Sequence, residues 1–218
     1  MSSDAGSDGG SPDPRDGPLA AIRWALTTER TSVVFLRDVA SSAGAVLAVG
    51  LLLFAIAGVW PPMVAVESPS MEPDMSRGDL VFIVDQHRFD GAGATDGVVT
   101  HAVGQETGYR KFGDHGDVIV YAPPDRSGSP IIHRARFHVN EGENWYEKAN
   151  RSYMDANSCE ELQFCPAPYD AFITKGDNNG YYDQTQGIAP PVRASWINGK
   201  AIVSVPWLGH VRLIATGS

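Results

Sequence analysis

Ala45-Val-Leu-Ala-Val-Gly-Leu-Leu-Leu-Phe-Ala-Ile-Ala-Gly-Val59 divides the chain into parts that need separate physical accounts. No charged residue stands between Asp38 and Glu67, a gap of 28 positions. About 20 apolar residues at 1.5 Å each span a hydrocarbon layer of roughly 30 Å, so residues 39–60 predict a transmembrane helix. Trp60 followed by Pro61 and Pro62 adds an aromatic interface anchor and a helix stop. The apolar run is longer than the core of a secretory signal peptide, and a long segment precedes it. Ala55-Ile-Ala57 has a small-x-small pattern but lies inside the run. The expectation is an uncleaved anchor.

On its N-terminal side stand Arg23, Arg30 and Arg37, whereas the first Lys or Arg beyond it is Arg77. The bias of basic residues toward the cytoplasmic side predicts a cytoplasmic N-terminus in a single-pass protein of the cell membrane. Residues 61–218 then face outward. Residues 1–17, made largely of Ser, Asp, Gly and Pro, predict a disordered acidic tail. Residues 18–38 alternate apolar and polar groups and predict a short helix leading to the membrane.

The 218 residues include 26 acidic and 17 basic ones, giving a formal net charge of −9. That balance argues against nucleic acid as a partner, since a nucleic-acid binder carries a basic face. Composition also excludes a collagen, a coiled coil and a wholly disordered chain. The acids are 17 Asp against 9 Glu, and the bases 13 Arg against 4 Lys. An Asp-rich, Lys-poor chain suits concentrated salt, where self-repulsion is screened, and a GC-rich genome offers a plainer source of the same bias.

Beyond the anchor no long helical periodicity appears. Short runs rich in β-branched and aromatic residues recur at Leu80–Val84, Val118–Tyr121, Ile131–Val139, Ala171–Thr174 and Ala201–Val205. Each is bounded by Gly, Pro, Asp or Asn, as strands are. Two follow the same punctuation, Arg77-Gly-Asp-Leu-Val and His115-Gly-Asp-Val-Ile, which reads as a hairpin signal. The expected fold is mainly β, a single domain over 61–218 behind one N-terminal transmembrane helix. Residues 201–215 are interrupted by Pro206, His210 and Arg212 and do not read as a second span.

Three segments carry residues able to do chemistry. Glu67-Ser-Pro-Ser70-Met71-Glu-Pro73 places a serine between two prolines, ordinarily a loop. Ile131-Ile-His133-Arg134 sets a histidine within an apolar run, where period two puts it on the face of Ile131. Thr174-Lys-Gly-Asp177-Asn-Asn, followed by Asp183, reads as a turn and lacks the spacing of a calcium loop.

Together these segments resemble the type I signal peptidases, specifically the archaeal and endoplasmic-reticulum branch. The matching pieces are the Ser-x-Ser-Met-x-Pro box at Ser68–Pro73, Arg77–Val81, Gly116–Val120, Ile131–Arg134 and Thr174–Asp183, in family order behind an N-terminal anchor. The resemblance covers roughly Val64 to Leu213. It implies a signal-peptidase-type β catalytic domain and a membrane-anchored serine endopeptidase that removes signal peptides from exported preproteins. It implies Ser70 as nucleophile and His133 where the bacterial branch has a lysine. A neutral imidazole can take the Ser70 proton at ordinary pH and return it to the leaving amine. Asp177 and Asp183 are the two acidic candidates, with Asp183 favoured as the partner of His133 and Asp177 as structural or assisting. The Ser70 N–H, and the Ser68 hydroxyl by resemblance, are the expected oxyanion donors. Pro69 departs from the small residue often found there, which bears on the role of Ser68.

The implied partners are signal peptides of secretory preproteins, the lipid bilayer and the export translocon. Neither cofactor nor metal is implied. His133 and His138 are five apart, which sends them to opposite faces of a strand. Outside the membrane, Cys159 and Cys165 predict a local disulfide in an insertion at residues 140–168, on which Asn150-Arg-Ser152 is an acceptor sequon. Two rivals stand beside the peptidase. A self-cleaving serine–lysine protease of the phage-repressor type would need Lys111 or Lys175 at the serine. A non-catalytic, anchored β-domain that binds partners would leave Ser70 and His133 more than about 8 Å apart, well beyond hydrogen-bond reach.

Overall fold

The computed structural model describes Arg15 and residues 17–124 and 126–209. The acidic tail expected over 1–17 therefore lies almost wholly outside the described residues, as does the end of the 201–215 segment. The described residues fall into two compact units, divided between Leu52 and Leu53.

The first unit is helical. α1 covers Pro18–Thr27, with proline in its first turn, where the missing N–H costs nothing. α2 covers Thr31–Ala57 and reaches a few residues into the second unit. Its most apolar window has a mean hydropathy of 2.3 with none of it buried, so it is long and apolar enough to cross a membrane. The anchor expected at 39–60 and this helix differ at both ends. Arg37 and Asp38 bound an apolar stretch but do not break helical backbone, so the helix begins earlier, at Thr31. It ends at Ala57, where the Gly58 N–H closes onto the Phe54 carbonyl before the Trp60-Pro61 stop.

The second unit is built on a six-stranded antiparallel sheet. Its strands are β1 Met63–Ala65, β2 Leu80–Val84, β5 Val118–Tyr121, β6 Ile131–Val139, β7 Ala171–Lys175 and β8 Ile197–Val205. Their order across the sheet is β1-β2-β8-β5-β6-β7. A short helix α3, His101–Thr107, and a two-residue hairpin, β3 Arg110–Lys111 with β4 Asp114–His115, fill the β2–β5 connection. All five expected strands are present. The last begins four residues early, because Asn198-Gly199 is strand and not turn. Gly199 runs so close to the Val84 carbonyl that a Cβ there would lie 2.5 Å from its oxygen.

The two Gly-Asp turns do more than punctuate. Asp79 accepts the Ser76 N–H at 2.9 Å. Buried Asp117 accepts the Val99 N–H at 2.8 Å and the Tyr109 hydroxyl at 2.8 Å. Asp79 closes the turn that leads into β2, and Asp117 ties the start of β5 to the loop before α3, satisfying a backbone donor that burial would otherwise strand.

The core falls into three clusters. One joins Met71 and Met75 to Val81, Val118 and Val120. A second joins Ile119, Tyr121 and Ile131 to Phe172. The third is supplied largely by residues 140–168, which form neither strand nor hairpin but wrap loops and 3₁₀ turns around Trp145 and Tyr182. Trp145 is 1% exposed, and its Nε1–H donates to the Phe164 carbonyl at 2.7 Å. Cys159 and Cys165 are disulfide-bonded in this segment. The exposed Asn150 caps the turn Arg151–Tyr153 by accepting the Ser152 N–H at 3.0 Å.

α3 sets up a pH effect on stability. Burial, then the positive charge of Arg136, lowers the His101 pKa from 6.5 to about 4. Unfolded, this histidine takes up its proton near 6.5, so between pH 6.5 and 4 the unfolded chain binds more protons than the folded one. The stabilisation is complete above 6.5 and is lost as pH falls toward 4. Its size is roughly 2 to 3 kcal/mol. Urea midpoints at pH 7 and 4.5 are expected to differ less in His101→Gln than in the parent. Equal differences would refute the assignment.

Candidate active site

Ser70 lies in the β1–β2 connection, residues 66–79, whose neck is closed by two backbone bonds. The Val66 N–H donates to the Asp79 carbonyl and the Gly78 N–H to the Val66 carbonyl, both at 2.9 Å. The loop is fixed from inside by Met71, which is 1% exposed, and its Sδ accepts the Asp177 N–H at 3.4 Å. From outside, the Asn178 N–H donates to the Ser70 carbonyl at 2.9 Å, and Asn178 Nδ2 to the Pro69 carbonyl at 3.2 Å. Gly176 permits that contact, since a Cβ there would lie 2.7 Å from the Ser70 oxygen. The serine's loop is thus held by a turn more than 100 residues further along the chain.

His133 is the third residue of β6, opposite Ile119 on β5, and is 5% exposed. Its Nε2 lies 2.9 Å from Ser70 Oγ and its Nδ1 lies 2.7 Å from Asp183 Oδ2. An ionised carboxylate only accepts, so the Nδ1 proton is directed to Asp183 and the Nε2 lone pair to the Ser70 hydroxyl. Ser68 Oγ stands 3.0 Å from Ser70 Oγ and extends the chain by one hydroxyl.

Asp183 is fully buried. Its Oδ2 accepts from three sides: His133, the Tyr121 hydroxyl at 2.9 Å and the Thr174 hydroxyl at 2.6 Å. Its backbone is tied to β7, the Asp183 N–H donating to the Thr174 carbonyl at 3.0 Å. Burial, and next the Asp183 charge, push the Tyr121 hydroxyl well above its ordinary pKa. Tyr121 therefore stays protonated and remains a donor.

Asp177 is elsewhere. Its carboxylate is gripped by Arg134, Nε to Oδ1 at 2.8 Å and Nη2 to Oδ2 at 2.6 Å. The Arg134 side chain is fully buried and also donates to the carbonyls of Lys111, Gly116 and Phe112 at 2.9–3.1 Å. This pair joins β6, the β3–β4 hairpin and the 176–179 turn, one residue along the strand from His133. Lys175 serves the same turn. Its ammonium donates to the Gly176, Asp177 and Asn179 carbonyls at 2.8, 3.3 and 2.5 Å. Lys111 contributes its carbonyl to Arg134, and its ammonium lies 6.0 Å from the Tyr109 ring centre. Both lysines are thus engaged away from Ser70.

Tyr121, Thr174 and Arg134 were not singled out as site residues by sequence reasoning. For Arg134 a signal existed, a charged residue inside a strand-like apolar run, which demands a buried partner. Tyr121 and Thr174 look like ordinary strand residues, and only the β5–β6–β7 pairing brings their hydroxyls to one oxygen. His138 stands apart, with its ring 5.2 Å from that of Phe172. A register shift between Ala135 and Phe137 interrupts the strict alternation assumed for His133 and His138.

A cavity of about 520 Å³ opens over Ser70 and His133, walled by 65–71 on one side and 126–133 on the other. Fold and site together describe an antiparallel β domain with a serine–histidine–aspartate hydrogen-bond chain at the base of a cleft. The chain is similar to the signal peptidase complex catalytic subunit sec11 of Schizosaccharomyces pombe, with 33% identity over 119 residues. The match covers 54% of this chain and 46% of that protein, so the chain spans about half the length of the relative it matches. No family model matches the sequence.

Proposed function

We propose that this protein is a membrane-anchored serine endopeptidase that removes N-terminal signal peptides from exported preproteins. The observation that carries the reading is the chain Ser70 Oγ–His133 Nε2 at 2.9 Å and His133 Nδ1–Asp183 Oδ2 at 2.7 Å beneath an open cleft. The likeness to a signal peptidase catalytic subunit supports the choice of substrate, and the apolar helix α2 supports the anchor. In this reading the helix crosses the cell membrane with its N-terminus in the cytoplasm and residues 61–218 outside. The export translocon is a partner for delivery of the preprotein.

The chemistry follows from the hydrogen-bond directions. His133 Nε2 takes the Ser70 proton as Oγ bonds to the scissile carbonyl carbon. The carbonyl oxygen becomes an oxyanion, for which the Ser70 N–H and the Ser68 hydroxyl are the donors. The imidazolium passes its proton to the leaving nitrogen as the C–N bond breaks, which leaves an ester on Ser70. Water then attacks that ester, giving a proton to Nε2, and Ser70 Oγ regains one as it departs. Asp183 holds the Nδ1 proton throughout and offsets the charge on the ring. Asp177 acts on structure through Arg134.

The test is processing of one preprotein by the purified full chain in detergent, followed by the appearance of mature protein with a new N-terminus. Failure to process any preprotein, with a soluble peptide ester also left uncut, would overturn the proposal.

A further inference from the structure

The cleft over Ser70 continues into a second cavity of about 490 Å³ that reaches Trp60 and Asn198. Both cavities are walled by Ala65, Glu67, Ser129, Pro130 and Ile132. At that shared waist the Ser129 hydroxyl donates to Glu67 Oε1 at 2.7 Å, joining one wall to the other. The bond is exposed, and a hydroxyl is a replaceable donor. Glu67 is also the sole charged side chain among the described residues lining the second cavity. Arg126 lines the first cavity alone, where its guanidinium donates to the Ile188 carbonyl at 3.2 Å.

From these facts we infer that Glu67 is a specificity-determining residue, reading one substrate side chain N-terminal to the scissile bond and favouring a cationic one over an acidic one. The inference rests on the peptidase reading above. A peptide running from Ser70 toward Trp60 must pass the waist. Glu67 is three residues before Ser70 and the chain bends at Ser68 and Pro69, so the two lie closer than the roughly 10 Å that three extended residues would span. The side chain that meets the carboxylate is thus within a few residues before the cleaved bond. A lysine there replaces Ser129 as donor and pairs with the charge. A glutamate brings like charge against Glu67 and provides no donor.

The test uses peptides that differ only in carrying Lys, Ala or Glu at each of the positions two to five before the cleaved bond. At one position the wild-type kcat/KM ratio of Lys to Glu peptide is expected to be on the order of fivefold, the scale of an exposed ion pair. In Glu67→Gln the ratio at that position falls to near one. In Ser129→Ala, which frees the carboxylate, it rises. Because each ratio is taken within one protein, loss of folded material cancels. Cleavage by the wild type with no position that discriminates, or a ratio unchanged in Glu67→Gln, overturns this inference and leaves the peptidase reading standing. No cleavage of any peptide by the wild type overturns both.

Discussion

Ser70→Ala is expected to lower preprotein cleavage by about 10⁴-fold or more while leaving the protein folded and membrane-inserted. The hydroxyl removed is the one atom within 2.9 Å of His133 Nε2 that can form an ester, and nothing adjacent replaces it. Ser68 Oγ is 3.0 Å from the lost oxygen, but it hangs from a chain position two residues earlier, and in the proposed reaction its hydroxyl stabilises the oxyanion. Stability changes little. Ser70 is held by its backbone carbonyl and by Met71 behind it, neither of which the substitution touches. Mature protein is quantified over time alongside the thermal unfolding midpoint. Wild-type rates in the variant would exclude Ser70 as nucleophile. A collapsed midpoint would mean that lost activity reported unfolding.

Asp183→Asn carries the second large effect, a fall in kcat of about 10⁴-fold near neutral pH. The carboxylate only accepts, and it accepts three hydrogen bonds at one oxygen. An amide nitrogen placed toward His133 would donate to Nδ1 and so move the imidazole proton to Nε2. The lone pair that faces Ser70 would vanish. An amide oxygen placed there keeps the tautomer but removes the charge that stabilises the imidazolium. Asp177→Asn separates this chemistry from general damage. It weakens a grip on Arg134 and therefore lowers stability, since a buried guanidinium loses its charged partner. It does not touch His133. The two carboxylates are distinguished if Asp183→Asn removes activity from a folded protein and Asp177→Asn lowers the unfolding midpoint more than the rate per folded molecule. The reverse pattern would exchange their roles.

The strands were legible because each is an apolar run bounded by turn residues, a local property. Where local rules ran out, long-range contact decided. Asn198-Gly199 has the composition of a turn, yet its glycine serves a strand that must slide against Val84. Segment 140–168 is polar on average, and its burial rests on Trp145, Met154 and Leu162 meeting Tyr182 from beyond β7. α3 is seven residues long, too short for helical periodicity to stand out.

The site divides in the same way. Its residue types, a serine beside Met71, a histidine in a strand and two aspartates after another strand, were present as text, and so was their order. Which aspartate meets the histidine was not, because Asp177 and Asp183 are six residues apart with a turn between them, so either could approach. The sheet decides. Arg134 follows His133 directly and is buried, so it needs a charged partner, and Arg134 lies opposite Lys175 in the β6–β7 register. Asp177 is thereby drawn to Arg134, and the chain that returns past Thr174 brings Asp183 beneath His133. Hydrophobic patterning, a property of single segments, determined the apolar helix and the β character of the rest. Pairing of buried charges between segments, which exists only once the strands are in register, decided which carboxylate stands beside His133.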